Sequence, residues 1–217
     1  MIKFVSTGLF ILTVSLLVAC NNPQGPYNQG VYMLIDTSGT YTQELSQAQQ
    51  IINFTLSKLN PGDSFAVARV DTASFSEKNI VHKQTFDERP SMTNQQKRAF
   101  RDEVDKFVKE VKASGYTDIT GGVLQAIEFL NEANTGKKTI LIFSDLKEEL
   151  KKGFVRDIPL QLNGVTVIAL NVTKLRSDNI DPREYMDRLE SWRAKVESGG
   201  GEWRVINDLE RLDPLFD

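Results

Sequence analysis

The chain has 217 residues, enough for one domain with a substantial core and too few for two large ones. Its 26 basic and 29 acidic side chains leave a formal charge of −3, which supplies no electrostatic footprint for nucleic acid. One Cys and one His exclude an internal disulfide and the usual zinc ligand sets.

Residues 1–19 read as a secretion signal. Lys3 gives a positive start, and Phe4–Val18 is an apolar run diluted by Ser6, Thr7, Gly8, Thr13 and Ser15. It is shorter than the roughly 20 residues a spanning helix needs. The run stops at Leu17-Val18-Ala19-Cys20, which resembles the bacterial lipobox, where small residues precede a lipid-modified Cys. The resemblance implies cleavage before Cys20, a diacylglycerol on its sulfur and an acyl chain on its amine. An uncleaved anchor with an incidental Cys is the plainer alternative, but the only Cys stands at the one position the lipobox requires. Acyl chains contribute about 0.8 kcal/mol per buried CH₂, so several of them hold a protein firmly at a membrane. Residues 20–29 are polar with Pro and Gly, and read as a tether. The lipobox resemblance implies a lipid-anchored protein of the cell envelope. Asn21, rather than Asp, follows the Cys; by resemblance to sorted lipoproteins it implies the outer membrane in an organism with two.

From residue 30 to 217 the pattern is one domain of alternating strands and helices. Val31–Ile35 is continuously apolar, as in a strand buried on both faces. Tyr41–Leu59 carries Leu45, Ala48, Ile52, Leu56 and Leu59 at helical spacing, and Asn60-Pro61-Gly62-Asp63 ends it. Phe65–Val70 is the next strand, and the more polar Ile80–Phe86 is expected near an edge. Asn94–Ser114 predicts a helix with Phe100, Val104, Phe107, Val108 and Val111 in one stripe. Ile119–Asn134 predicts another, followed by strands at Thr139–Phe143 and Val165–Leu170. Asp181-Pro182 starts a further helix, with Asp able to cap it and Pro suited to its first position. Glu202–Ile206 is a short last strand, and Leu209–Phe216 is expected to form a terminal helix. This alternation predicts a doubly wound α/β domain, with a mostly parallel central sheet and helices on both faces.

In such sheets, ligands bind at the carboxyl ends of central strands. Three clusters fall there or at helix starts. Asp36-Thr37-Ser38-Gly39-Thr40 follows the first strand, Gly115-Tyr116-Thr117-Asp118 opens a helix, and Ser144-Asp145 follows the apolar strand at 139–143. Asp118 reads first as a helix cap. Together the clusters offer carboxylates and hydroxyls without local His or Cys, a donor set for hard divalent cations.

The three clusters, in this order, resemble the von Willebrand factor A domain and its metal-ion-dependent adhesion site. The Asp-x-Ser-x-Ser motif of that family matches Asp36, Ser38 and Thr40, the loop Thr matches Thr117, and the last Asp matches Asp145. Thr40 stands where Ser is usual, and Leu146 stands where Gly commonly follows the last Asp. The resemblance implies a Rossmann-like fold and a site for Mg²⁺, or Mn²⁺ or Ca²⁺. Ser38 and Thr40 would be direct ligands and Thr117 direct or through water, with charge and hydrogen bonds from Asp36 and Asp145. One open coordination position would take an acidic side chain of a partner protein. It implies recognition rather than catalysis, so no enzyme activity is expected.

Two other readings compete. The segment up to Asp36-x-Ser38-x-Thr40 faintly resembles the nucleophile motif of haloacid-dehalogenase-type phosphatases. There a second Asp transfers the proton, and Ser38 at that position has no such capacity at neutral pH. The domain is alternatively a metal-free scaffold of the same fold. His82, beside Lys83, is expected to be a surface side chain of an outer strand.

Overall fold

A computed structural model describes residues 27–39, 41, 44–71 and 74–216. The elements run β1 (Gln29–Asp36), α1 (Leu45–Lys58), β2 (Ser64–Val70), β3 (Ile80–Thr85), α2 (Pro90–Glu110) and α3 (Ile119–Glu132). They continue with β4 (Lys137–Phe143), β5 (Val165–Leu170), α4 (Arg183–Ser198) and β6 (Glu202–Ile206). The six strands lie in the order β3-β2-β1-β4-β5-β6. Every pair is parallel except β2–β3, which is antiparallel and puts the polar strand β3 at one edge.

The period-two alternation of the central strands sends successive side chains into two separate cores. Val31, Met33 and Ile35 of β1 pack with Ile52 of α1 and Phe100 of α2. Tyr32 and Leu34 pack on the other face with Val123 of α3 and Trp192 of α4. Both faces of β1 are thus covered, which is why its stretch Val31–Ile35 is apolar at every position instead of every second one. Each fully buried aliphatic or aromatic side chain contributes about 1.5–3 kcal/mol. Phe65 and Phe100 stack face to face with ring centroids 4.8 Å apart.

Helix ends deviate from the sequence pattern for identifiable reasons. α2 starts at Pro90, whose missing N–H is harmless in a first turn. It stops at Glu110, four residues before the predicted Ser114, because Val111 turns extended and Ser114 donates its N–H to Thr37 O at 2.7 Å instead. The regular part of α1 begins at Leu45, since Tyr41 N–H is engaged by Ser38 O in a turn. The expected terminal helix over 209–216 reduces to one 3₁₀ turn at Asp213–Leu215. Pro214 disfavours helical backbone at Asp213 and has no N–H to bond backwards. His82 is half-buried, its ring edge-on to Phe100 with centroids 4.8 Å apart, more packed than a surface residue, and burial lowers its pKa.

Candidate functional site

The strand order reverses direction of travel between β1 and β4, and the ends of those two strands carry Asp36, Ser144 and Asp145. This is the switch point where a doubly wound sheet leaves a crevice, because the following connections diverge to opposite sides.

Three loops close the crevice, and each is stitched to the other two. Ser144 Oγ donates to Asp36 Oδ2 at 2.6 Å, joining the β4 end to the β1 end. Ser114 N–H on Thr37 O joins the β1 loop to the segment before α3. Thr117 and Glu149 exchange two backbone hydrogen bonds, at 2.8 and 3.0 Å, joining that segment to the β4 loop. Thr37 Oγ1 also donates to Val70 O at 3.0 Å, fixing the loop to the end of β2. The resulting cleft, about 390 Å³, is lined by Ser38, Ser114, Thr117, Asp145, Lys147 and Glu149 among others.

Of the residues picked out by sequence, Ser38, Thr117 and Asp145 share this cleft, and Asp36 sits directly beneath it. Thr40 and Cys20 lie outside the described residues, as do all of 1–26, where the sequence leads one to expect a signal and most of a tether. Asp36 is 1% exposed, with Oδ1 accepting from Ser38 N–H at 2.8 Å and Oδ2 from Ser144. Asp145 is 5% exposed and accepts from Lys147 N–H at 2.9 Å through Oδ1. Among the described residues, neither Asp36 nor Asp145 forms a direct salt bridge.

Two buried carboxylates stand together at this end of the sheet, with the charges of Arg188 and Lys147 favouring the ionised form of Asp145. Burial raises the Asp145 pKa; the backbone N–H of Lys147 opposes this, and the charge of Asp36 adds to the rise. The phenol of Tyr41, packed edge-on against Phe143, is pushed up by burial and then by Asp145 and Asp36. A divalent cation is the group that relieves such a pair. The oxygens on offer are carboxylate and hydroxyl, the donors hard cations take. Among the described residues no three His, Cys, Asp or Glu side chains gather as a metal cage, so the donor set relies on Ser and Thr. The residues present fit Mg²⁺ or Mn²⁺. They suit phosphoryl attack poorly, because both Asp36 oxygens are already engaged and buried.

Asp118 behaves as the helix cap read from sequence, with Oδ1 accepting from Gly121 N–H at 2.9 Å. It also pairs with Arg156 at 2.8 Å and accepts from Ser74 N–H at 3.0 Å. Lys147 and Glu149 rim the cleft, and they pair with each other at 2.6 Å. Sequence reasoning quoted Ser144 only as the neighbour of Asp145; its strand-end hydroxyl was the available signal. Tyr41, Ser114 and Arg188 lacked any local pattern that marks a site.

An oxygen-lined cleft at the switch point defines the class: a doubly wound α/β domain. The chain belongs to the von Willebrand factor type A domain family, whose model matches residues 30–198. Among solved structures, it resembles a von Willebrand factor type A protein from Catenulispora acidiphila, with 15% identity and a TM-score of 0.52. That match covers 85% of this chain and 40% of the other. It also resembles the pilus adhesin SpaC from Lactobacillus rhamnosus GG in an open conformation, with 10% identity and a TM-score of 0.54. This second match covers 86% of this chain and 28% of the adhesin, so the chain spans less than half the length of either. At these identities the likeness is one of fold. No curated protein matches the sequence.

Proposed function

We propose that this chain is a lipid-anchored envelope protein whose domain binds a divalent cation and, through it, an acidic side chain of a partner protein. Ser38, Thr40 and Thr117 supply hydroxyl ligands, and Asp36 and Asp145 supply charge and hydrogen bonds. The bound cation is Mg²⁺ in the first instance, with Mn²⁺ or Ca²⁺ as substitutes, and it supplies a positive centre to which a carboxylate attaches without bond making or breaking. The observation that carries this reading is the pair of buried strand-end carboxylates under a cleft whose walls present Ser38 and Thr117. The role is one of recognition, with no catalytic step.

Anchoring rests on the sequence Leu17-Val18-Ala19-Cys20. The described chain begins beside β1 at its amino end, whereas the cleft lies at the carboxyl ends of the strands. A tether entering there leaves the cleft on the side away from the membrane.

Thermal unfolding tests the metal arm. Ligand that binds only the folded state stabilises it by about RT ln(1 + [L]/Kd), so Mg²⁺ or Mn²⁺ at a hundredfold over Kd adds about 2.7 kcal/mol. The Tm should rise with metal in the native sequence and stay flat in a Ser38→Ala, Thr117→Ala double variant. Equal rises in both remove these hydroxyls from the site. For the anchor, Cys20→Ser should abolish incorporation of labelled lipid; persistent labelling refutes it.

A further inference from the structure

Leu146, directly after Asp145, has a φ of 66°, in the left-handed region that glycine enters freely and leucine does not. Such a conformation persists only where the surroundings enforce it. Here its side chain is 1% exposed in the α3–α4 core, and both of its peptide groups are engaged. Leu146 N–H donates to Ser144 Oγ at 3.0 Å, the same hydroxyl that donates to Asp36. Leu146 O accepts from the indole Nε1–H of Trp192 at 3.0 Å.

The preceding carbonyl is held as well. Asp145 O accepts from Arg188 Nε at 2.9 Å. Arg188 and Trp192 are four residues apart, one turn along α4, so one helix face grips two consecutive carbonyls. The guanidinium is locked in turn by Asp178, which takes both terminal nitrogens at 3.1 and 2.8 Å. The side chains of this pair are 12% and 0% exposed. A second bond, from Leu175 N–H to Asp178 Oδ2 at 2.7 Å, attaches the loop that forms another wall of the cleft. A planar fork that binds a carboxylate with two nitrogens and a carbonyl with the third is a geometry lysine lacks.

We infer that Arg188 and Trp192 are positioning residues: from α4 they fix the two peptide units that aim the Asp145 carboxylate into the cleft. The inference rests on the metal-binding reading above and adds to it a dependence of the site on a helix that contributes no ligand. The groups that orient metal ligands typically matter by about 10–100-fold in affinity.

Two variants of the full chain in detergent test it. Arg188→Met combined with Asp178→Asn removes the fork without stranding a buried carboxylate. Trp192→Phe keeps an aromatic ring in the core while deleting the N–H donor and part of the indole's bulk. Both are compared with the native sequence by amide hydrogen exchange and by calorimetric titration with Mg²⁺. The expected result is faster exchange at 144–147 in both variants, joined by the loop at 175–178 where Asp178 is changed, with β1 and β4 unchanged, and Mg²⁺ binding weakened about tenfold or more. Arg188→Lys should not restore the affinity. If the native sequence binds Mg²⁺ and both variants bind it equally well, the inference is overturned while the metal reading stands. The same holds if exchange accelerates throughout β1 and β4, which marks a merely structural role. If the native sequence takes up no Mg²⁺, the metal reading fails and this inference fails with it.

Discussion

Asp36 and Asp145 face a conflict that belongs to the site. Each is nearly excluded from water, and the charge of one raises the pKa of the other. Without a cation the second charge is unfavourable, so Asp145→Asn should stabilise the metal-free protein by about 1 kcal/mol while weakening Mg²⁺ binding. Urea unfolding with and without Mg²⁺ separates the two effects; loss of stability in the metal-free variant contradicts the account. Leu146→Gly relaxes a left-handed backbone but deletes a buried side chain. Leucine truncations cost about 2–5 kcal/mol and the backbone relief returns about 1–2, so the net loss should be about 1–3 kcal/mol by urea unfolding. At this scale the sequence pointed to Asp36 and Ser38 through alternating oxygen donors after an apolar strand, to Asp145 through its place after another, and to Thr117 through the family resemblance, and the fold brings Ser38, Thr117 and Asp145 to one cleft. The sequence did not display Ser144 as the partner of Asp36 or Arg188 as the brace of Asp145. Those pairings span 108 and 43 residues and depend on how strands and helices come together.

The start of α3 shows what an element contributes. A Cβ at Gly122 would come within 2.7 Å of Leu34 Cδ2, so the helix sits directly on β1, with its first turn beside the site. Gly122→Ala should therefore destabilise the protein by about 1–3 kcal/mol, although alanine is the better helix former by about 1 kcal/mol. A rise in the urea midpoint contradicts that close packing. In the 3₁₀ turn Ser177–Asn179 that precedes α4, Asp178 has its pKa lowered, first by its hydrogen bonds with Arg188. A carboxylate with a depressed folded pKa adds stability that is present above its ordinary value of 3.8 and lost as pH falls through the folded value. An Asp178→Asn variant should accordingly lose part of this acid dependence in urea melts between pH 5 and pH 2, as a rough window. The order and type of the strands and long helices were readable from apolar periodicity. Helix ends were not, where tertiary bonds took over. Ser114 N–H went to Thr37 O instead of continuing α2, and Pro214 cut the terminal helix to one turn.

Across the whole molecule, the polarity of the sheet separates two ends. The cleft gathers at the carboxyl ends of β1 and β4, while β1 begins at Gln29 at the opposite end of the sheet. Eight residues of strand at about 3.3 Å each put roughly 25 Å between them. The expectation of a signal ending at Cys20 rests on sequence alone, and the charge balance sets no field that steers the site toward nucleic acid. Among the described residues, no helix is long and apolar enough to cross a membrane. The central claim is that the strand-end cleft binds a divalent cation through Asp36 and its neighbours. Its most direct test is calorimetric titration of Mg²⁺ and Mn²⁺ into the metal-stripped full chain in detergent, beside Asp36→Ala. The account predicts saturable binding to one site in the native sequence and none in the variant. Absence of binding in the native sequence, or equal binding in Asp36→Ala, contradicts it.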